Sequence, residues 1–398
     1  MSLQFDSGIL PLGFKASGVS AKIKKSGKKD LALFYSLRPC AAAGLFTSNR
    51  VKAAPLEISR RHLANGRIQA VIVNSGNANC MTGRQGLLDA ITTTQLVARC
   101  LSIDPGQVLV SSTGIIGKPL PMKKIKAAVP ILTKKLSFNG LSDAASAIMT
   151  TDTFRKEASK VFQIGNRRVI ISGIAKGAGM IAPQMKHATM LAYIFTDASV
   201  TEQVLKKALK DAVDVSFNAI TIDGCMSTND TVIAMANGAS CSALVKSGTV
   251  VEVAFRLAIK EVCLSLAKMI VRDAEGATKF IEIRVKGAVT EPEAKHLAFS
   301  VANSNLFKCA MFGSDPNWGR IAAALGSIPS ALKAEKLDIK LNNKCVFKNG
   351  RPVPVKNNSF LRGTNVRVDI DLHGGRAESC VYTSDLSYGY VRINADYS

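Results

Sequence analysis

The stretch from Lys176 to Asp197 limits what this chain can fold into more than any other. It opens as Lys176-Gly-Ala-Gly-Met-Ile-Ala-Pro183, where glycine and proline forbid a long helix. It closes as Met190-Leu-Ala-Tyr-Ile-Phe195, a fully apolar run of strand length. Such a strand must be covered on both faces, which requires a large core. A chain of 398 residues, 47% of them hydrophobic, supplies one.

Between loop and strand stands Thr189, placed to begin a rigid core strand. A threonine opening a strand is ordinary by itself. It becomes a good nucleophile if the peptide bond before it is cut, because its own α-amine then lies beside its hydroxyl and can take the proton. The glycine- and proline-rich approach is the kind of backbone in which a bond can be held in a strained, attackable geometry. His187, two residues earlier, is read as a solvated loop residue or an accessory acid or base. A second component is Ser111-Ser-Thr-Gly114, where a strand ending in Thr-Gly can aim a hydroxyl and a backbone N–H at one point, as an oxyanion needs.

The rest of the chain alternates strand-like and helix-like segments. Leu31–Tyr35, Ile68–Val73 and Val108–Val110 read as buried strands, and 87–101 reads as a helix ended by Asp104-Pro-Gly106. Ser199-Val-Thr-Glu202 has the form of a capping box. The helix behind it puts Val204, Leu205, Ala208, Leu209, Ala212 and Val213 on one face. A long amphipathic helix is expected over 251–271, then half-exposed strands at Phe280–Val285 and Val366–Leu372. Lys348-Asn-Gly-Arg-Pro352 reads as a hairpin or loop. A domain boundary is expected near 280.

Several function classes fall away. Gly177-Ala-Gly-Met-Ile-Ala182 has the dinucleotide-fingerprint spacing, but Pro183 follows where a phosphate-binding helix would have to start. Gly114-Ile-Ile-Gly-Lys118 lacks the spacing and the Ser/Thr of a P-loop. Nine cysteines are scattered singly with no Cys/His cluster, which predicts reduced thiols and no metal site. The net charge of +23 is spread along the chain without a nucleic-acid motif, so neither nucleic acid nor membrane is expected as a partner. The apolar stretch 251–271 carries Glu252, Arg256, Lys260, Glu261 and Lys268, so it cannot span a bilayer. The N-terminus shows no signal-like pattern, and a cytoplasmic protein is expected.

A set of motifs running nearly end to end carries a resemblance. They are Gly13-Phe-Lys-Ala-Ser-Gly-Val19, 46–55, Val73-Asn-Ser-Gly-Asn-Ala-Asn79, Ser112-Thr-Gly-Ile-Ile-Gly117 and Met149-Thr-Thr-Asp-Thr153. The loop and strand at 176–197 follow, then Ser227-Thr-Asn-Asp-Thr231, Asp273-Ala-Glu-Gly-Ala-Thr-Lys279, Asp315-Pro-Asn-Trp-Gly-Arg320 and 390–397. Together they resemble the ArgJ family of ornithine acetyltransferases (glutamate N-acetyltransferases).

The resemblance implies an α/β fold (layered α+β), a sandwich of the N-terminal-nucleophile type as in ArgJ and DmpA, with a smaller C-terminal α/β domain. It implies self-cleavage between Ala188 and Thr189, with Thr189 as nucleophile and Thr113 and Gly114 as the oxyanion hole. Thr151, Lys176, Thr189, Glu275 and Asn394 fall on the family's substrate-binding positions, and Ser398 stands in for its C-terminal Ser/Thr ligand. The implied reaction passes acetyl from N2-acetylornithine to glutamate without a cofactor, acetyl-CoA being a possible further substrate. Two α and two β chains are expected to associate. The rivals are an amidase or aminopeptidase of the same fold and a non-catalytic basic binding protein. The sequence departs from the family pattern in an inserted Lys186-His187, in Cys225 where an aspartate is usual, and in its last residue, Ser398.

Overall fold

The structure is a computed structural model that describes residues 8–182 and 190–395. The chain forms two compact units. The first comprises 1–177, 183–218 and 226–270; the second comprises 178–182, 219–225 and 271–398.

In the first unit a mixed sheet runs, edge to edge, through Val108–Ile115, Ile68–Asn77, Leu31–Phe46, Thr231–Ala236, Leu191–Thr196, Arg167–Lys176 and Lys156–Ile164. Phe14–Val19 pairs with the first half of Leu31–Phe46. That long strand changes neighbours along its length. Leu31–Tyr35 pairs with 70–74, whereas Ala41–Phe46 pairs with 231–236. The break falls at exposed Leu37-Arg-Pro39, where proline offers no N–H to the ladder.

Alternate residues of the central strands feed two cores. Leu31, Leu33, Ala70, Ile72, Val108 and Val110 pack with Ile58, Val97, Ile125 and Val129 from the helices Ala54–Ala64, Gly83–Leu101 and Met122–Lys134. Ala32, Phe34, Val71, Val73, Tyr193 and Phe195 pack on the other side with Leu141, Ala144 and Ile148 of the helix Leu141–Ile148. This is the layered α/β arrangement expected, with both sheet faces covered. The apolar run after Thr189 is the wholly buried strand Leu191–Thr196.

The helix Glu202–Asp214 buries the six residues read from its period. Its cap is corrected. Thr201, not Ser199, receives the Val204 N–H, and Glu202 is the first helical residue rather than the third. Ser199 is engaged elsewhere: its N–H bonds Ser242 Oγ and its carbonyl accepts from Val245.

The second unit has a six-stranded sheet ordered Arg351–Pro352, Lys344–Lys348, Asp338–Leu341, Asn365–Asp371, Phe280–Ala288 and Ala377–Ser384. Its buried side packs against Ala294, Leu297, Val301, Phe307 and Met311 of the helices Glu291–Ala302 and Asn305–Phe312. Asn349-Gly350 makes the tight hairpin turn, both residues having positive φ as a two-residue hairpin loop requires.

Candidate active site

Thr113 and Gly114 end the strand Val108–Ile115, opposite Ser75 and Gly76 in a parallel ladder. Gly114 has φ +131°, and a Cβ there would overlap the backbone of Gly76 and Asn77. Only glycine fits this close approach. The strand end is pinned by Asn229, whose amide donates to the carbonyls of Ser112 (2.8 Å) and Ala78 (2.6 Å). Thr113 is 9% exposed.

Lys176 closes the strand Arg167–Lys176, where it is registered opposite Leu191, two residues beyond Thr189. It is likewise 9% exposed, and its Nζ donates to Thr113 Oγ1 over 3.2 Å. An ammonium only donates, so Thr113 receives here and its own hydroxyl proton is directed elsewhere. With the Gly114 N–H adjacent, the strand end offers the two donor types that an oxyanion hole needs.

Thr151 lies half-buried in the turn after the helix Leu141–Ile148. The next residue, Asp152, organises this region. Its carboxylate accepts from Lys156 Nζ (2.6 Å), the Gly177 N–H (2.7 Å) and the Thr150 N–H (2.9 Å). The last two bonds draw the Thr151 turn to the residue that follows Lys176. Burial would raise the Asp152 carboxyl, but Lys156, Lys176 and the Gly177 N–H outweigh it and hold it at about 2. Lys24 donates to the carbonyls of Met149 (2.7 Å) and Lys29 (2.9 Å). Its ammonium is pushed down to about 8 by burial, against the pull of Asp30 and with Lys176 adding repulsion. Lys24, Lys156 and Lys176 thus lie around the Asp152 carboxylate, with Asp30 also acting on Lys24.

In the second unit, Glu275 follows the helix Val250–Arg272 and is 8% exposed. Its carboxylate accepts from Asn394 Nδ2 at 2.9 Å, and the same amide donates to the Tyr390 carbonyl at 3.0 Å. Asn394 lies on the helix Tyr388–Ala395. Among the described residues Glu275 takes its side-chain hydrogen bond from a neutral amide, and a buried carboxylate so placed attracts an ammonium.

The geometry thus joins Thr113, Gly114, Thr151 and Lys176 in one group, and Glu275 with Asn394 in another. Ala188, Thr189 and Ser398 lie outside the described residues, as do Lys186 and His187. Sequence reasoning passed over Asp152, Lys24 and Asn229 as site-builders. Asp152 stood inside a quoted motif, but only its burial against three donors reveals its part.

The family model described as the ArgJ family matches residues 15–398. The arginine biosynthesis bifunctional protein ArgJ of Geobacter sulfurreducens is 48% identical over 390 residues, covering 97% of this chain and 98% of that protein.

The chain belongs to the ArgJ family.

Its similarity to other ArgJ proteins is just as extensive. That of Symbiobacterium thermophilum is 46% identical over 97% of both chains. A crystal structure of the arginine biosynthesis bifunctional protein ArgJ from Bacillus halodurans is 37% identical, with a TM-score of 0.51. The match covers 52% of this chain and 100% of the solved one.

Proposed function

We propose that this ArgJ-family chain cuts itself between Ala188 and Thr189 and then passes acetyl from N2-acetyl-L-ornithine to L-glutamate, a step of arginine biosynthesis. In the cut, Thr189 Oγ attacks the Ala188 carbonyl carbon and the peptide C–N bond gives way to an ester. Water splits that ester, leaving an Ala188 carboxylate and a Thr189 with a free amine. The size of the solved Bacillus halodurans chain supports this reading. It is matched whole by 52% of this chain, and residues 189–398 are 210 of the 398.

In the transfer, the Thr189 α-amine takes the hydroxyl proton. An α-amine has an ordinary pKa of about 7.7–8.0, close to where a general base works best. Oγ adds to the acetamide carbonyl, Thr113 Oγ1 and the Gly114 N–H hold the oxyanion, and ornithine leaves carrying the proton. Glutamate then attacks acetyl-Thr189 by the same path in reverse. Lys176 and Thr151 bind the substrate carboxylate, Glu275 and Asn394 the ornithine ammonium, and Ser398 completes the set. Acetyl-CoA is a second donor in this reading, in keeping with the word bifunctional in the relatives' names. No resident cofactor is required. The two pieces associate as two α and two β chains, and the reaction runs in the cytoplasm.

The observation that carries the reading is the bond from Lys176 to Thr113, with Gly114 next in line at a strand end that only glycine can complete. The test follows labelled acetyl from N2-acetylornithine. Label arriving on glutamate with ping-pong kinetics is the expected result. Free acetate released at a rate independent of glutamate would replace the transferase with a hydrolase.

A further inference from the structure

Asp223 lies in the short segment 219–225 of the second unit, and its carboxylate is saturated with donors. Oδ2 accepts from the Met180 N–H (2.6 Å) and the Tyr390 hydroxyl (3.3 Å). Oδ1 accepts from the Ile181 N–H (2.9 Å) and the Cys225 N–H (3.1 Å). Two consecutive backbone N–H groups converge on one carboxylate because Met180 takes φ +54°, a left-handed conformation that a methionine adopts only when held.

The backbone so held covers Glu275. The Glu275 N–H donates to the Ala178 carbonyl at 2.9 Å, and a Cβ on Gly179 would overlap the Glu275 carboxylate. Tyr390 and Asn394 belong to one helix, and the Tyr390 carbonyl shares the Asn394 amide with Glu275. The bonds of Asp223 from Met180 and Ile181 therefore fix the backbone over Glu275. Its bond from Tyr390 fixes the helix that brings Asn394 to it.

Asp223 is itself anchored. The preceding Ile222 donates to the Ile181 carbonyl (2.6 Å), and its own carbonyl accepts from Lys308 (2.6 Å). Lys308, 3% exposed, also donates to Thr383 Oγ1 (3.2 Å) and the Ser384 carbonyl (2.7 Å). This buried ammonium ties 219–225 to the sheet of its unit.

We propose that Asp223 is a positioning residue that sets Glu275 and Asn394 for the ammonium end of the amino-acid substrate. The proposal rests on the transferase reading for the identity of that substrate. An aspartate is required because both oxygens must accept. In Asp223→Asn, whichever atom becomes the NH2 faces a backbone N–H already pointing at it, and a donor meets a donor.

The experiment measures KM, kcat and the calorimetric Kd for N2-acetylornithine in wild type, Asp223→Asn and Tyr390→Phe. The expected result for Asp223→Asn is a rise of about 10- to 100-fold in KM and Kd, with kcat changed far less. Tyr390→Phe, which removes only the bond to the helix, should move the same two constants in the same direction by less. Intact mass of each variant separates an effect on the Ala188/Thr189 cut from one on binding. Wild-type KM and Kd in Asp223→Asn would overturn the proposal, and so would a loss confined to kcat. If wild type binds N2-acetylornithine without transferring its acetyl group, the transferase reading fails, while the Kd comparison still decides the role of Asp223.

Discussion

The Lys176 ammonium donates to the Thr113 hydroxyl over 3.2 Å, and this fixes the sense in which Thr113 can act. A lone hydroxyl rotates to suit any neighbour. One whose oxygen is engaged by an ammonium is left to donate. In the proposed reaction Lys176 therefore bears on the oxyanion as well as on the substrate carboxylate.

Lys176→Met keeps an unbranched side chain, one heavy atom shorter, but not its donor. It should lower kcat as well as raise KM for N2-acetylornithine. Thr113→Val removes the oxyanion donor itself and should cost about 10²–10³-fold in kcat. Steady-state kinetics on fully cut protein make the comparison. A Lys176→Met effect confined to KM would leave the lysine with its carboxylate role alone.

Gly114→Ala adds a methyl group that meets the Gly76 backbone, at a φ of +131°. The strain is on the order of 1–3 kcal/mol, and the strand end must shift. Chemical unfolding should show the lost stability, and kcat should fall with it because the N–H at 114 moves.

Asp152 and Lys156 form a buried ion pair, both side chains 0% exposed. Asp152→Asn removes the charged partner of this buried ammonium and should destabilise by about 3–5 kcal/mol. Replacing both partners with apolar residues should recover only part of that loss, because the Gly177 and Thr150 N–H groups lose their acceptor. The Asp152 carboxyl lies at about 2 in the folded chain, below its ordinary value near 4. Its contribution is fully present above pH ~4 and is lost as pH falls through about 2. The stability gap between wild type and Asp152→Asn should therefore close across that window.

Lys308 is depressed as well, but here folding disfavours the charged form instead of favouring it. Burial pushes its ammonium down to about 8, although Asp223 and Asp385 pull it up. Between about pH 8 and its ordinary value near 10.4 the unfolded chain binds more protons than the folded one, so this group's contribution grows as pH rises. The melting-temperature difference between wild type and Lys308→Met should widen in favour of wild type from pH 8 to pH 10. A flat difference would contradict a depressed Lys308.

Much of the fold was legible because apolar periodicity and turn chemistry are local. The buried face of Glu202–Asp214, the strand after Thr189 and the Asn349-Gly350 hairpin all follow from it. The helix cap was misread because both Ser199 and Thr201 suit the position. Which one caps is decided by the bonds of Ser199 to Ser242 and Val245, far along the chain. The same limit applies to the site. Motif resemblance pointed to Thr113, Lys176, Glu275 and Asn394. The groups that hold them in place, Asp152, Lys24, Asn229 and Asp223, are defined by partners up to 167 residues away, and no spacing announces those.

In the proposed reaction the working base is an amine made by cutting the chain before Thr189. Intact mass of the purified protein, beside Thr189→Ala, tests it directly. Two fragments meeting at Ala188/Thr189 are expected in active wild type, and one uncut, inactive chain in the variant. An active wild-type chain that is continuous from Ala188 into Thr189 would contradict it.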